Sequence, residues 1–568
     1  MEIEKISIIG FRNYLETTIN FNKSTLIIGA NDSGKTNLIH AIRLLLDKSL
    51  PESELEPSET DFHFEPNGKQ SGTIFIDLYF RDIKEDAVLS TLKGSVGEDE
   101  KCVLRYSAER HNLSYSLHCG PNIDELDEIT SRFYLRYLNL RYVKSQRHLE
   151  KFISTEKKQL LKISQENRTE KEAEDDKEKL QVIGKRLTTI NRYVRELHYV
   201  KGATDAVNNE LSKLSHNLSE YSVYLDSGAI ETQQFIDNLK LGASTAGSRV
   251  SLGGDGRNNQ ILLSLWKAKS EREFDPESEV VFYCIEEPEA HLHPHQQSKL
   301  ADYLISELPG QTFITSHSPQ ITARFSPESI VHIKSKSGKS YAASNGCSRC
   351  ISTAWDKLGY RMSILPAEAF FAKSVFLVEG PSEKLFYTEL AKSLEIDLDY
   401  YNISILSVDG VQFKVYTSIL NAMEISWTAR TDNDISDITK GKKLYKNLAG
   451  INRCLTLAAL KKIDHAPAAT THADLIKKGY WRRCSRQVNK KGVFLSKIDL
   501  EHDLSEEMPD ELLKYTKRPS LALAIAYLQD KKAIRMREFL SEYSESLVDI
   551  EHGDIARALH HCLKQAKE

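Results

Sequence analysis

The chain has 568 residues, too many for one hydrophobic core, so roughly two to four domains are expected. Charged residues make up 28% and hydrophobic ones 40%, no apolar run reaches membrane-spanning length, and Met1-Glu2-Ile3-Glu4-Lys5 is no signal peptide, so a soluble cytoplasmic protein is expected. Eight scattered cysteines argue against a disulfide framework, Cys347-x-x-Cys350 lacks the second pair a zinc site needs, and a net charge of −5 leaves nucleic acid open.

The N-terminus alternates apolar residues (Ile3, Ile6, Ile8), then runs through G-F-R-N-Y (10–14) to a short buried strand, T-L-I-I (25–28). G-A-N-D-S-G-K-T follows from Gly29 to Thr36 and opens the helical pattern N-L-I-H-A-I-R-L-L-L. It matches a phosphate loop at every fixed position, with the required strand before and helix after. Gly29 and Gly34 let the backbone N–H groups wrap phosphates, with Asn31 and Asn37 beside them. Lys35 is placed to reach β/γ oxygens and Thr36 to hold Mg²⁺, so ATP with Mg²⁺ is the expected ligand.

From about Thr73 to Tyr142 the chain reads as several strands, including T-I-F-I-D-L-Y-F and F-Y-L-R-Y-L-N-L-R-Y-V. Between Lys144 and about Tyr221 proline is absent and Lys, Glu, Gln and Asn dominate, which predicts long helices interrupted at R-T-E-K-E-A-E-D-D-K-E-K. A Gly-rich turn, S-L-G-G-D-G-R-N-N-Q (251–260), precedes another helix. An apolar strand then ends on Glu286-Glu287, and T-F-I-T-S-H-S-P (312–319) ends another on His317.

The segment S-I-L-P-A-E-A-F-F-A (363–372) leads to V-F-L-V-E-G-P (375–381), a buried strand running into a tight turn and a helix. Glu379 falls at the strand's carboxyl end, with Glu383 four residues on in the first helical turn. A second strand, 424–431, ends on Asp432-Asn433-Asp434. Acidic pairs at two strand ends make a hard oxygen site of the kind Mg²⁺ takes. Further on, G-Y-W-R-R-C-S-R-Q-V-N-K-K-G (479–492) reads either as a phosphate-and-base surface or as a solvated loop. A strand follows that leads to Asp499, Glu501 and Asp503, and then a helix carrying Lys531 and Lys532.

These residues resemble two known assemblies. The first half is similar to ABC-type ATPases of the SMC and RecF group. That likeness puts Glu286 at the Walker B acid, Glu287 at the water-activating base, His317 at the γ-phosphate switch, and S-L-G-G-D-G at a degenerate signature loop. E-G-P-S-E followed by D-x-D looks like the Toprim metal site of topoisomerases, primases and OLD-family nucleases. The order of the two parts is that of OLD-family nucleases, with the greatest likeness in the Gabija anti-phage branch.

The fold expected is therefore α/β: an ABC-type head (1–143 and 226–348) with a helical dimerisation insertion (144–225), followed by a Toprim domain with a C-terminal helical region (349–568). The resemblance implies metal-dependent DNA cleavage, homodimers or homotetramers, and a helicase-like partner, GajB. Glu379, Glu383, Asp432, Asp434, Asp499 and Glu501 are the expected carboxylates for Mg²⁺ or Mn²⁺, and Lys532 the cation facing the scissile phosphate. Two other readings stay open: a RecF-like repair ATPase with a non-catalytic Toprim scaffold, and a topoisomerase- or primase-like enzyme.

Overall fold

The computed structural model describes residues 1–65, 67–144, 149–214, 223, 232–237, 239, 241, 243–245, 248–250, 260–262, 264–269, 279–347, 367–408, 413–440 and 443–568. The Gly-rich turn (251–259), Cys350, Lys442 and residues 363–366 of the connecting segment lie outside them. The chain forms two compact units, one of Met1–Val143, Glu277–Glu289 and Pro294–Glu568, the other of Lys144–Pro276 and Ala290–His293. Among the described residues no helix is long and apolar enough to cross a membrane.

The first unit opens with β1 (Glu2–Phe11), β2 (Tyr14–Asn20) and β3 (Ser24–Gly29), then the helix Lys35–Leu46. After these come β4 (Thr73–Arg81), β5 (Cys102–Glu109), β6 (Ser114–Asn122), β7 (Glu125–Ile129) and β8 (Leu138–Val143). An antiparallel sheet runs β2-β1-β4-β5-β6-β7. Ile3, Ile6 and Ile8 are all buried although the first two are three positions apart. A register shift between Ile3 and Lys5 absorbs the extra residue, as a β-bulge does. F-Y-L-R, expected as strand, is a 3-10 turn over Phe133–Arg136, and pairing begins only at Leu138. There Tyr134 turns inward to donate to the Leu45 carbonyl at 2.9 Å.

In the second unit the helices Leu149–Glu166, Glu170–Glu196 and His198–Leu214 follow one another, and β9 (Ala243–Thr245) pairs with β10 (Ser248–Val250). The helices break where expected, at the start of the charged run, but most of the run is itself helical. The break covers 167–169, where Thr169 caps the next helix with Glu172 reaching back, and the rest of the run opens Glu170–Glu196. Lys and Glu are good helix formers, so charge density alone does not end a helix.

Back in the first unit, β11 (Val280–Glu286), β12 (Thr312–Thr315), β13 (Ile330–Lys336) and β14 (Lys339–Ala342) complete a second sheet, β14-β13-β3-β12-β11-β8. Its strands are parallel apart from β14, and β11 and β12 are buried throughout, as strands covered on both faces must be.

The Toprim part contains β15 (Ser374–Val378), β16 (Ile403–Ser407), β17 (Ser426–Thr431), the small sheet β18 (Ser436–Lys440), β19 (Lys443–Asn447) and β20 (Ala466–Pro467), and finally β21 (Val493–Leu495). Its main sheet is parallel in the order β16-β15-β17-β21. The chain steps from β15 outward to β16 and returns to β17 on β15's other side. The crevice at the carboxyl ends of β15 and β17 is therefore the switch point where open α/β sheets bind ligands. C-terminal helices cover the sheet with Leu528, Met536, Phe539 and Leu559, all buried against Phe376 and Phe386. Lys531 and Lys532 do not ride one helix as expected. Lys531 lies in the break between Leu521–Asp530 and Lys532–Tyr543, and Lys532 starts the second.

Within this core Arg430 and Asp503 form a buried ion pair at 2.5 Å. Removing one partner strands a buried charge, so Asp503→Ala is expected to cost about 3–5 kcal/mol. It should lower the urea midpoint followed by tryptophan fluorescence, and the apolar double variant Arg430→Met with Asp503→Leu should recover most of the loss. An unchanged midpoint in Asp503→Ala would show that the pair carries no stability.

Candidate functional site

At the switch point, β15 is buried along its whole length, so its exit fixes Glu379 at the crevice rim. Pro381 then starts the helix Pro381–Ser393, whose first turn brings in the buried Glu383. β17 ends at Thr431 and delivers Asp432, whose backbone N–H donates to Glu379 Oε1 at 2.9 Å. Gly450 lets the helix Ala449–Leu457 approach this turn, since a Cβ there would lie 2.3 Å from the Asp432 carbonyl oxygen. After β21, Asp499 caps the helix Leu500–Glu507 and accepts from the His502 N–H and ring. Its second oxygen accepts from Gln529 at 2.7 Å.

Glu501 follows in that first turn, 1% exposed, and neither of its oxygens has a hydrogen-bond partner. Burial and then Asp499 push its carboxyl up to about 7. Asp432 is raised by burial and by Glu379, Glu383 and Asp499, and Glu383 is raised chiefly by burial. Burial acts to lower Lys532, but Glu501, Asp432, Glu383 and Asp499 outweigh it and hold the ammonium above its ordinary range. Lys532, not Lys531, is thus the lysine coupled to the acids.

Asp434 stands apart. It is half exposed, and its carboxylate accepts from Arg453 at 2.5 Å while the same guanidinium also reaches Glu379 and Thr431. Nothing in the sequence marks Arg453, which lies in an ordinary helix without a motif. Among the described residues no three His, Cys, Asp or Glu side chains already form a ready-made metal cage. The donor set nevertheless fits a divalent cation: hard oxygens, mutually repelling, with one buried carboxylate that no protein donor satisfies.

The nucleotide site lies on the second head sheet. Gly29 (φ +154) passes so close to β13 that a Cβ would sit 2.4 Å from the Ile333 carbonyl oxygen. Gly34 begins the helix, and the buried Lys35 donates to the Gly29 and Ala30 carbonyls at 2.9 and 2.8 Å. Asn31 and Thr36 are exposed. Asn37 instead braces the loop, donating to Asn13 and accepting from Arg12, while Tyr14 donates to the Gly34 carbonyl. F-R-N-Y is therefore a brace for the phosphate loop.

At the end of β11, Glu286 is buried and accepts from Tyr142 at 2.8 Å. Glu287 takes a left-handed φ of 44°, and its carboxylate meets His317 Nε2 at 3.5 Å. Burial and then Lys35 lower the His317 pKa, so the ring is neutral near pH 7. Glu289, not singled out from the sequence, accepts from Ser316 Oγ and from the His317 N–H at 2.8 and 2.7 Å.

Raised acid pKa values set a sign for pH dependence. Between its ordinary value of 4.5 and about 7, Glu501 binds a proton in the folded state that the unfolded chain releases. The stability this confers is present at low pH and lost as pH rises through about 7, on the order of 3 kcal/mol. Melting the chelated protein from about pH 5 to about pH 8 should show a falling midpoint, flattened in Glu501→Gln and restored at the alkaline end by Mg²⁺. A wild-type midpoint that rises over that window would overturn the protonated assignment.

Comparison with known proteins gives a family match in each half of the chain. The AAA ATPase domain family matches residues 1–196 and 139–322, and the "Overcoming lysogenization defect protein-like, TOPRIM domain" family matches 370–434. Endonuclease GajA of Bacillus cereus (strain VD045) is 26% identical over 595 aligned positions, covering 100% of this chain and 99% of GajA. Uncharacterized protein YbjD of Escherichia coli (strain K12) is 22% identical over 76% of this chain and 80% of its own. Among solved structures, an SMC head bound to the C-winged helix domain of ScpA overlaps 60% of this chain and 97% of its own at 19% identity, with a TM-score of 0.39. The chain belongs to the AAA ATPase domain family, carries an OLD-like Toprim domain behind that head, and is similar to GajA from end to end.

Proposed function

We propose that the protein is a metal-dependent DNA endonuclease, regulated by the nucleotide state of its ATPase head and acting in anti-phage defence. The observation that carries the reading is the buried Glu501 carboxylate, unsatisfied by any protein donor and grouped electrostatically with Glu383, Asp432 and Asp499 at the sheet's switch point. Mg²⁺ or Mn²⁺ held by these residues and Glu379 supplies the positive charge that hydrolysis of a phosphodiester requires. Lys532 faces the scissile phosphate and balances charge gathering on its oxygens. In the head, Lys35 and the loop N–H groups bind ATP phosphates, Thr36 and Glu286 hold their Mg²⁺, Glu287 accepts the proton of attacking water, and His317 orients it.

The name endonuclease GajA supports this reading, as does the order of the two domains. Self-assembly through the helical unit accords with Val182, Ile190, Tyr193 and Tyr199, which stand exposed on its helices. The family likeness also motivates GajB, a helicase-like protein, as partner. One observation favours the scaffold reading instead: Arg453 already occupies Glu379 and Asp434, two of the six expected carboxylates.

A single assay separates the readings. Supercoiled plasmid with Mg²⁺ should be nicked or cut by the wild type, and Glu379→Ala should lower the rate by roughly two to three orders of magnitude while leaving ATP binding intact. Plasmid left supercoiled by the wild type favours the scaffold, and a ladder of relaxed topoisomers favours the topoisomerase.

Nucleotide control has a physical route. β13 pairs with the phosphate-loop strand β3, setting Ile333 against Gly29. The same strand, with the turn that follows β14, grips the Toprim turn ahead of β17. His332 Nδ1 donates to the Met423 carbonyl at 3.1 Å, Lys334 donates to the Glu424 carbonyl, and Ser344 Oγ donates to the Ala422 carbonyl at 2.7 Å. From that turn β17 runs straight to Asp432. Nicking should therefore proceed without nucleotide and slow with a non-hydrolysable ATP analogue, while Ser344→Ala with Lys334→Met should shrink the difference at least severalfold. Equal rates without nucleotide, with ADP and with the analogue would remove the coupling.

A further inference from the structure

The segment 479–492 is neither a loop nor part of the carboxylate centre. It forms the helix Tyr480–Val488 and a following turn, sorted sharply by face. Trp481, Cys484, Ser485 and Val488 turn inward, packing with Val493 and Leu495 of β21. Arg482, Arg483, Arg486, Lys490 and Lys491 are exposed, with Lys478 just before them. None of these six forms an ion pair among the described residues. In a chain of net charge −5, six cations without ion-pair partners on one short surface make a local positive field that attracts an anion. The guanidinium of Arg483 lies over the exposed Tyr480 ring, 4.8 Å from its centre, giving the patch an aromatic element as well.

Anchoring ties the helix to the proposed metal centre. Trp481 Nε1 donates to the carbonyls of Leu495 and Ser496, both at 3.1 Å, on the segment that leads to Asp499 and Glu501. The ring of His472, on the preceding helix, bonds the Asn433 carbonyl at 2.6 Å, between Asp432 and Asp434. Two of the loops that carry carboxylates thus carry the basic helix too. The anionic centre repels a phosphodiester, so substrate must first be held by cations fixed nearby.

We propose that the exposed face of Tyr480–Val488 and its following turn is the surface on which the DNA backbone docks and is steered to the carboxylate centre. This inference rests on the endonuclease reading and adds the docking surface to it. Arginine is suited to the task because its planar fork pairs with phosphate oxygens and stays charged at any working pH.

The test measures binding without cleavage: anisotropy of a fluorescein-labelled duplex with the full-length protein in EDTA, at NaCl from about 50 to 200 mM. Arg482→Gln/Arg483→Gln/Arg486→Gln should bind at least tenfold more weakly, with a salt slope shallower by about 2 to 3, close to one unit per lost phosphate contact. The matching Arg→Lys triple should retain most of the affinity. A triple neutralisation elsewhere, at Lys179, Lys185 and Arg186, should leave it unchanged. Thermal midpoint and ATP binding check the fold, and single Arg482→Gln, expected to reduce the slope by about one, serves if the triple is unstable. Unchanged affinity and slope in the Gln variants overturn the docking surface alone. Altered self-association in sedimentation with unchanged DNA affinity overturns it too, assigning the face to a second copy of the chain. Wild-type protein that binds no duplex at any salt overturns the endonuclease reading itself, and the docking surface with it.

Discussion

Electrostatic repulsion among carboxylates governs the Toprim domain. Glu383, Asp432, Asp499 and Glu501 act on one another through a partly dry crevice, and Lys532 is the cation they share. The protein relieves the conflict by keeping protons on Glu501 and Asp432, and by tying Asp499 to His502 and Gln529. A divalent cation binding here would have to displace those protons from the same oxygens. Rigidity comes from around the site: β15 and β17 are buried, Gly450 lets a helix press on the Asp432 turn, and the Arg430–Asp503 pair sits beneath.

The head meets a different constraint. Its phosphate loop needs backbone N–H groups free for an anion, so side chains must hold the loop from behind. Asn37, Arg12 and Asn13 form one brace, Tyr14 another, and Ser340 from β14 bonds the Ser33 carbonyl at 2.6 Å. That last contact matters because β14 and β13 also face the Toprim turn. Head and Toprim thus share a wall, since the strands that back the phosphate loop are hydrogen-bonded to the turn that opens β17.

Much of this was legible in the chain because strand ends and turns write local signals. G-A-N-D-S-G-K-T, E-G-P-S-E and the acids after β17 and β21 fall where apolar runs stop. What escaped is set by contacts distant in sequence. Arg453 reaches Glu379 across 74 residues and belongs to a helix with no unusual pattern. Glu289 was one acid among several in I-E-E-P-E, and only its bonds to Ser316 and His317 single it out. The basic stretch 479–492 was ambiguous for another reason: loops and amphipathic helices share its composition, and only the inward Trp481, Cys484 and Val488 decide between them. The 3-10 turn at Phe133–Arg136 is a case of tertiary packing overriding aromatic β-preference.

The order in which the chain supplies its acids and its lysine has a consequence for synthesis. Glu379 emerges early in the Toprim domain, but Asp499 and Glu501 need β21, and Lys532 arrives only with the late helices that close over the sheet. A nascent polypeptide still on the ribosome holds the P-loop head and four of the six acids, yet lacks the residues that complete the crevice. A chain cut short before its final helices has no Lys532 and no cover over the sheet, so the acids already made face one another without the cation they share.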